Sequence, residues 1–276
     1  MRLLALLLAL ASHPFVGVTY IDRTEESPRA LHMHIAQIDL AAPGLRFKLT
    51  APSGSRETVR QTTLDYLTQE HAQLAVNAHF FLPFPTSDAD LWLIGIAASD
   101  GQVYSAFETP AQSFALLPNA PGLNIDATNH ASIVHRDFTQ ADGLHVSELV
   151  TLWTTFAGSA QIVADGHPST PSLEWYQAVN ARTAAGLSRD GRTLTLFTVD
   201  RAGGSEGMRV SEVADLLIKD YGVWNALNLD GGGSTTMAME DPVTNEPALM
   251  NSSSDNPRGR AVGSNLAVFA GRIPNR

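Results

Sequence analysis

The alternation of apolar and polar residues predicts β-strands along much of this chain. From Leu31 to Leu40, His32 and His34 interleave with apolar residues, a pattern typical of a half-buried strand. The two histidines are two positions apart, so they are expected to point the same way, toward solvent. Pro43-Gly44 then marks a turn. The apolar run Leu45 to Leu49 is therefore predicted to return as the second strand of a hairpin.

A second hairpin is predicted in the C-terminal half. The apolar segments Ala181 to Leu187 and Thr193 to Val199 are joined through Arg189-Asp190-Gly191, and an Asp-Gly connection is common in hairpins. Shorter apolar runs bounded by turn residues predict further strands, at Gln73 to Asn77, Ala160 to Ala164, Val223 to Leu229 and Ala261 to Phe269.

Two segments carry the period of an amphipathic helix instead. From Val210 to Tyr221 apolar residues share one face, with Ser211 as the expected N-cap and Gly222 as the stop signal. Thr58 to Gln69 has a similar apolar face. Many strands and two helices that do not alternate regularly predict an α+β fold, with a mixed, mainly antiparallel sheet and a few packed helices in a single domain.

Composition narrows the classes of partner and cofactor. The 276 residues carry a formal net charge of −10 and no basic stripe, which argues against nucleic acid as a partner. The absence of cysteine excludes disulfides, thiolate metal sites and cysteine nucleophiles. The nine histidines show no H-x-x-x-H or H-E-x-x-H spacing, so neither a metal nor a cofactor is predicted. Oligomeric state stays open.

The N-terminus resembles a secretory signal. Met1-Arg2 is a short positive region, and Leu3 to Ala11 is an apolar run too short to span a bilayer as a helix. Residues 1–15 are therefore predicted to be a signal peptide and residues 16–276 the functional domain, which places the mature protein outside the cell or in the periplasm without stable membrane insertion. The alternative is a buried first strand or helix.

The most distinctive segment follows the strand that ends at Leu229. Here Asn228 and Asp230 lead into three consecutive glycines, Gly231, Gly232 and Gly233, and then into Ser234 and Thr235. Consecutive glycines are costly to order, and such backbone can aim several N–H groups at one anion. The segment lacks the spacing of a nucleotide phosphate loop. A tight turn between two strands is the alternative.

Other polar residues stand at predicted strand ends, where function usually resides. Asn77 and Asp200 each end an apolar strand, and Arg182 opens another. Carboxylates with an arginine nearby suit glycosyl or phosphoryl chemistry. Each has a structural alternative: Asn77 as a backbone cap, Arg182 as half of an ion pair, and Asp200 as a turn residue.

The order of these motifs resembles the phosphodiester glycosidase family over roughly residues 16 to 271. The stretches that carry the resemblance are Asn77 to Phe81, Asp165-Gly166, Ala181 to Gly186, Thr198 to Asp200, Gly207-Met208 and Asn225 to Thr235. The resemblance implies hydrolysis of a sugar-1-phosphodiester at the anomeric carbon. It carries over as site residues Asn77, Arg182, Asp200, Asn228, Asp230 and the three glycines, and Arg260 matches a recurring basic position before the last strand.

Two loops depart from the family pattern. Ala78 and His79 stand where two glycines are usual, and the loop after Asp200 reads Arg201 to Glu206, with an acid before Gly207. Both loops are expected to face substrate, so the departures bear on which sugar is accepted.

The resulting hypothesis divides the site into two halves. Arg182, the Gly231 to Gly233 amides, Ser234 and Thr235 would hold the phosphate, while Asp230 and Asp200 would act on the sugar as nucleophile or as base toward water. Two alternatives stay open. One is a non-catalytic phosphoglycan-binding module of the cell envelope. The other is a phosphodiesterase that cuts P–O, which would ordinarily need clustered metal ligands.

Overall fold

The computed structural model describes residues 7–107 and 117–273, and strands dominate these residues. The first strands in chain order are β1 (Leu7–Phe15), β2 (Val18–Glu25), β3 (Leu31–Asp39), β4 (Arg46–Leu49), β5 (Thr58–Val59), β6 (Gln61–Thr62), β7 (Leu74–Asn77), β8 (Phe81–Leu82), β9 (Asp90–Leu93), β10 (Ala97–Ser99), β11 (Gln102–Ser105) and β12 (Gly122–Ile125). They are followed by β13 (Ala131–Val134), β14 (Thr154–Ala157), β15 (Ala160–Ala164), β16 (His167–Pro168), β17 (Arg182–Ser188), β18 (Thr193–Val199), β19 (Val223–Asn228), β20 (Met237–Glu240), β21 (Pro247–Leu249), β22 (Ala261–Val262) and β23 (Asn265–Phe269). The helices are α1 (Thr63–Glu70), α2 (Glu174–Gln177) and α3 (Val210–Tyr221).

The largest sheet has eight strands in the order β1-β2-β3-β18-β17-β19-β15-β16, and each pairing in it is antiparallel. The predicted hairpin of β17 and β18 is confirmed, with Arg182 opposite Val199 and Leu187 opposite Leu194. The prediction of an α+β domain with mainly antiparallel pairing is also confirmed.

The predicted hairpin between the first two strand segments is wrong. β3 pairs with β2 on one side and with β18 on the other, so neither of its edges is open to β4. β4 instead joins a five-stranded sheet of order β21-β20-β7-β23-β4, where Leu49 lies opposite Leu266. The remaining sheets are a second five-stranded sheet, β11-β10-β14-β12-β13, and the small sheets β22-β6 and β5-β9-β8.

The eight-stranded sheet and the five-stranded sheet that contains β4 contribute to a common apolar core. Strands of both contribute to one cluster of buried side chains, which includes Ile38, Leu196 and Leu227 from the eight-stranded sheet and Leu74 and Leu266 from the five-stranded sheet. The helix α3 covers the opposite face of the eight-stranded sheet. Burial of each large apolar side chain contributes roughly 1.5–3 kcal/mol. This packing therefore fixes the relative position of the two sheets, and with it the place where their strand ends meet.

The helices follow the predicted periodicity with corrected starts. α3 has the predicted bounds and ends at Gly222 in a left-handed conformation (φ 65°), but its N-cap is Arg209 rather than Ser211. The Arg209 amide donates to the Glu212 carboxylate at 2.7 Å. α1 begins only at Thr63, because the preceding residues pair in the short strands β5 and β6 and Thr62 caps the helix by accepting from the Asp65 amide at 3.0 Å.

The N-terminal strand β1 pairs with β2 along the edge of the large sheet, and Phe15 at its end is buried. Residues 1–6 of the predicted signal peptide lie outside the described residues. The signal peptide over residues 1–15 stays a prediction. No helix in the described ranges has both the length and the apolar character needed to cross a lipid bilayer.

Candidate active site

The predicted site residues meet at one end of the eight-stranded sheet. Arg182 begins β17 directly opposite Val199, so Asp200 follows at the same end. On the other side of β17, the Leu229 amide donates to the Thr183 carbonyl oxygen at 2.9 Å. This bond places the start of the glycine-rich turn next to Arg182. Three strand ends that are distant in sequence are thereby adjacent in the fold.

Asn77 connects this sheet to the five-stranded sheet. Its side chain is fully buried and donates from Nδ2 to the Asp230 carbonyl oxygen at 2.7 Å. Its Oδ1 accepts from the Thr183 hydroxyl at 2.9 Å and from the Thr236 amide at 3.0 Å. Asn77 was predicted to bind substrate, but here it holds the main chain around Asp230.

At each position of the turn, a different physical reason favours glycine over a residue with a side chain. A Cβ on Gly231 would lie 2.9 Å from the Ala181 carbonyl oxygen. Gly232 has φ +59°, a conformation that L side chains rarely adopt. A Cβ on Gly233 would lie 2.3 Å from Arg260 Nη2. The glycines therefore let the turn pack between the start of β17 and the guanidinium of Arg260.

The amides of the turn are largely used inside the chain. Gly232 N donates to the Ala181 oxygen at 2.8 Å, Ser234 N to the Gly231 oxygen at 3.1 Å, and Thr235 N to the Gly232 oxygen at 3.2 Å. Residues Gly232–Ser234 form a single turn of 3₁₀ helix. Of the Gly231 to Gly233 amides that are predicted to hold phosphate, Gly232 N is therefore used inside the chain, which favours the neighbouring arginines for part of that task.

The carboxyl group of Asp230 has an unusual pKa. Burial raises it from 3.8 to about 7, because desolvation penalises the charged form. The Ser234 hydroxyl, the charge of Arg260 and the Gly231 amide lower it in part. A carboxyl with a pKa near 7 suits proton transfer at neutral pH.

Arg182 is a buried cation held by main-chain oxygens. Its Nε donates to Met208 O at 3.1 Å, and its Nη2 donates to Trp175 O at 3.0 Å and to Ala178 O. Burial lowers the pKa of the guanidinium to about 10, so it is charged at neutral pH. No carboxylate forms an ion pair with Arg182 in the part of the chain that the structure describes, which makes the structural ion-pair alternative untenable there. An uncompensated buried cation is suited to an anionic ligand.

Arg260 lies on the opposite side of the turn. Its Nε donates to the Asp255 carboxylate at 2.8 Å, and its Nη1 donates to the Ser234 hydroxyl at 3.3 Å. The guanidinium stacks over the Phe84 ring with 4.8 Å to the ring centroid. The turn that carries Asp230 is thus flanked by two arginines, one of them balanced by a carboxylate.

Asp200 is fully buried and anchored through both oxygens. Oδ1 accepts from Asn251 Nδ2 at 3.1 Å, and Oδ2 accepts from the Ser252 amide at 2.8 Å. The same Asn251 nitrogen donates to the Thr235 carbonyl oxygen at 3.0 Å. Asn251 therefore joins Asp200 to the glycine turn. It was missed from the sequence, although it opens a run of six polar residues, 251–256, just before the recurring arginine.

Asn228 combines a bonded side-chain nitrogen with an unpartnered side-chain oxygen among the described residues. Its Nδ2 donates to the Ser159 hydroxyl at 2.8 Å, and the Tyr176 hydroxyl donates to the same Ser159 oxygen at 2.7 Å. Asn228 Oδ1 and Thr235 Oγ1 are buried without a hydrogen-bond partner among the described residues. Buried polar atoms of this kind usually find a partner, and a substrate hydroxyl is a suitable one.

Ala78 and His79 differ from the two glycines that are usual in the family. The expectation that they face substrate is wrong. Ala78 and His79 are fully buried, and the Ala157 amide donates to His79 Nε2 at 2.9 Å. Burial lowers the pKa of His79 to about 4, so it is a neutral core residue. Glu206, in the second loop, is exposed. The expected solvent exposure of the β3 histidines is also wrong for His34, which is fully buried.

Comparison with known protein sequences points to one family. The model of the phosphodiester glycosidase family matches residues 70–269. Mouse N-acetylglucosamine-1-phosphodiester alpha-N-acetylglucosaminidase is 29% identical over 255 residues, which cover 86% of this chain and 45% of the mouse protein. The human protein of the same description is 37% identical over 75 residues, or 27% of this chain and 14% of the human protein. The chain therefore spans less than half the length of these relatives.

Solved structures share the fold at low sequence identity. The zebrafish N-acetylglucosamine-1-phosphodiester alpha-N-acetylglucosaminidase catalytic domain, auto-inhibited by its pro-peptide, matches with a TM-score of 0.63 at 20% identity over 97% of this chain and 84% of that chain. A Burkholderia pseudomallei protein, provisionally described as exported, matches with a TM-score of 0.68 at 14% identity over 97% of both chains. At such identities the likeness concerns the fold.

Proposed function

This chain belongs to the phosphodiester glycosidase family, and from that premise we propose that it hydrolyses the anomeric C–O bond of a sugar-1-phosphodiester, releasing the sugar and a phosphate monoester. The relatives described as N-acetylglucosamine-1-phosphodiester alpha-N-acetylglucosaminidases support this substrate class. The observation that carries the proposal is the position of Asp230, with its pKa of about 7, on a turn flanked by Arg182 and Arg260.

The phosphate half of the site consists of the two arginines. The hydrogen bonds of Arg182 use Nε and Nη2, so Nη1 can donate to a phosphate oxygen. Arg260 forms an ion pair with Asp255, so it attracts the phosphate less strongly than Arg182 does. The phosphate monoester that leaves has a second pKa of about 6. It departs as a stable anion, so the reaction does not need a strong general acid.

The sugar half of the site consists of the two carboxyl groups. Asp230 acts on the anomeric carbon, as nucleophile or as base toward water, because its pKa lets it be ionised or protonated near neutral pH. Asp200 keeps both oxygens bonded to Asn251 and Ser252, which favours stabilisation of positive charge on the sugar over direct attack. Asn228 Oδ1 and Thr235 Oγ1 accept hydrogen bonds from sugar hydroxyls.

The test is hydrolysis of an N-acetylglucosamine-1-phosphodiester in ¹⁸O-labelled water. Cleavage of C–O incorporates the label into the sugar, which supports the proposal. Label in the phosphate would instead indicate a P–O-cutting phosphodiesterase. Tight binding without turnover across a panel of sugar-1-phosphodiesters would indicate a phosphoglycan-binding module. The anomer formed first, followed by NMR, distinguishes retention from inversion and so assigns Asp230 as nucleophile or as base.

Export of the protein is part of the proposal. The positive residues Met1-Arg2 and the short apolar run after them are the basis of the predicted signal peptide, and the description of the Burkholderia pseudomallei protein agrees with it. Intact-mass measurement on protein from the extracellular or periplasmic fraction should show a mature chain that begins near residue 16. A chain that still begins at Met1 would contradict the predicted cleavage.

A further inference from the structure

A pair of histidines lies against Asp200 outside the groups used above. His32 and His34 are on β3, which pairs with β18, and the Asp200 amide donates to the His32 carbonyl oxygen at 3.0 Å. The two rings are 4.3 Å apart between centroids. His34 is fully buried, whereas the His32 side chain is 32% exposed.

One nitrogen of each ring is held by an oxygen on the neighbouring strand β2. His32 Nε2 lies 2.7 Å from Asp22 Oδ1, and His34 Nδ1 lies 2.7 Å from the Tyr20 hydroxyl. Burial raises the pKa of Tyr20, so its hydroxyl is neutral. These contacts fix both ring orientations and leave His32 Nδ1 and His34 Nε2 for another partner.

The two remaining nitrogens approach the same carboxylate oxygen. Asp200 Oδ2 lies 3.8 Å from His32 Nδ1 and 3.6 Å from His34 Nε2. Both separations exceed the length of a hydrogen bond to nitrogen, about 2.7–3.2 Å. His34 Nε2 is buried without a hydrogen-bond partner among the described residues. A direct ion pair therefore does not satisfy this nitrogen.

The two separations from Asp200 Oδ2 are a few tenths of an ångström longer than those between atoms that share a metal ion. Two ligands about 2.0 Å from a tetrahedral zinc ion lie about 3.3 Å apart. A histidine that binds a metal through one nitrogen usually gives its other nitrogen to a carboxylate or another oxygen, as Asp22 and Tyr20 allow here. Among the described residues, the three whose ligand atoms all lie within 4.8 Å of one another are Asp22, His32 and His34, so Asp22 is near enough to hold the His32 ring in place.

We propose that His32 Nδ1, His34 Nε2 and Asp200 Oδ2 bind one divalent transition-metal ion of the zinc class, with Asp22 and Tyr20 as positioning residues. Three protein ligands leave one tetrahedral position for water or a ligand. This site departs from the sequence prediction of no metal, because strand pairing unites ligands that show no local spacing motif. The site shares Asp200 with the proposed glycosidase site, but metal binding can be measured without glycosidase activity.

Metal binding by the full chain, without a polyhistidine tag, tests the proposal. After chelator treatment and dialysis, the wild type is expected to take up one equivalent of Zn²⁺ in calorimetry. One equivalent of Co²⁺ should give the visible absorption of a four-coordinate site. Wild-type protein that binds neither ion would overturn the proposal, whatever its activity toward phosphodiesters.

Variants locate the bound ion. His32→Gln changes a partly exposed ligand and should abolish stoichiometric binding, while Asp22→Asn should weaken binding by about 10- to 100-fold. His145→Gln is the matched control, because His145 also pairs with an aspartate, Asp142, at 3.0 Å but is exposed elsewhere. It should bind like the wild type. If His145→Gln loses binding as strongly as His32→Gln while both stay folded by circular dichroism, the assignment is wrong.

Discussion

Asn77 Nδ2 donates to the main-chain oxygen of Asp230 at 2.7 Å, and this bond joins the eight-stranded sheet to the five-stranded sheet that contains β7. Asn77 ends β7 of the five-stranded sheet, whereas Asp230 follows β19 of the eight-stranded sheet. The Asp230 amide in turn donates to the Ala78 oxygen at 3.0 Å. The position of the Asp230 main chain is therefore set by residues of the other sheet.

Replacing Asn77 by alanine should destabilise the protein and impair turnover together. The change removes the donor to Asp230 and the acceptor for Thr183 and Thr236. Each polar group left unsatisfied in the interior costs about 1–3 kcal/mol, so the free energy of unfolding should fall by about 3 kcal/mol or more in urea titrations. Gln102→Ala, at an exposed strand position, should change it by less than about 0.5 kcal/mol. Equal stability of both variants would refute the linking role.

Local patterns were sufficient to predict the elements that carry the site. The hairpin of β17 and β18 is defined by two apolar runs and an Asp-Gly connection, and the bounds of α3 follow from its period and from Gly222. Because consecutive antiparallel strands share their ends, this hairpin brings Arg182 and Asp200 to the same end of the sheet.

Long-range pairing was beyond the sequence patterns. β4 pairs elsewhere because both edges of β3 are occupied, by β2 and by β18. A local turn signal such as Pro43-Gly44 carries no information about these distant pairings. The same pairing buries His34, because β2 and β18 flank it and Tyr20 reaches its ring. Asn251 contacts Asp200 across 51 positions, so its role depends on the whole sheet and could not be inferred from spacing.

Asp230→Asn should remove most turnover and leave the fold intact. An amide of similar size cannot act as nucleophile or base, and a loss of at least about 10³-fold in kcat is expected. In the wild type, kcat/KM should rise as pH increases through about 7, where the Asp230 carboxyl ionises. A phosphodiester has a constant charge in this range, so the inflection reports the enzyme. A rate that falls through pH 7 would contradict the assigned role.

The same carboxyl should make stability depend on pH. The raised pKa means that folded Asp230 retains its proton between 3.8 and about 7, whereas the unfolded chain releases it. The stability present below the unfolded pKa is therefore lost as pH rises through about 7. One pKa unit corresponds to about 1.4 kcal/mol, so the wild type should lose up to about 4 kcal/mol relative to Asp230→Asn. Urea denaturation of both proteins from acidic to mildly alkaline pH measures this difference, and parallel stability curves would exclude it.

Arg182→Gln should weaken phosphate recognition. Its guanidinium is the buried cation of the site, and loss of one preorganised donor to developing charge typically costs about 10²–10³-fold in rate. We expect kcat/KM to fall by at least about 100-fold and inhibition by inorganic phosphate to weaken. Arg192→Gln is the matched control, because Arg192 is exposed just before β18, at the end opposite Asp200. Comparable losses in the two variants would point to a general charge effect.

Gly233→Ala should disturb the site through Arg260. The added Cβ would lie 2.3 Å from Arg260 Nη2 and 2.8 Å from the Asp255 Cβ, both closer than real contacts allow. The guanidinium must move off the turn, which weakens its hydrogen bond to Ser234 and its lowering effect on the pKa of Asp230. The inflection in the pH dependence of kcat/KM should therefore shift upward while kcat/KM at pH 7 falls. Gly271→Ala, where the nearest atom would be 3.5 Å away, should leave both unchanged. An unshifted inflection in Gly233→Ala would show that Arg260 does not control the charge of Asp230.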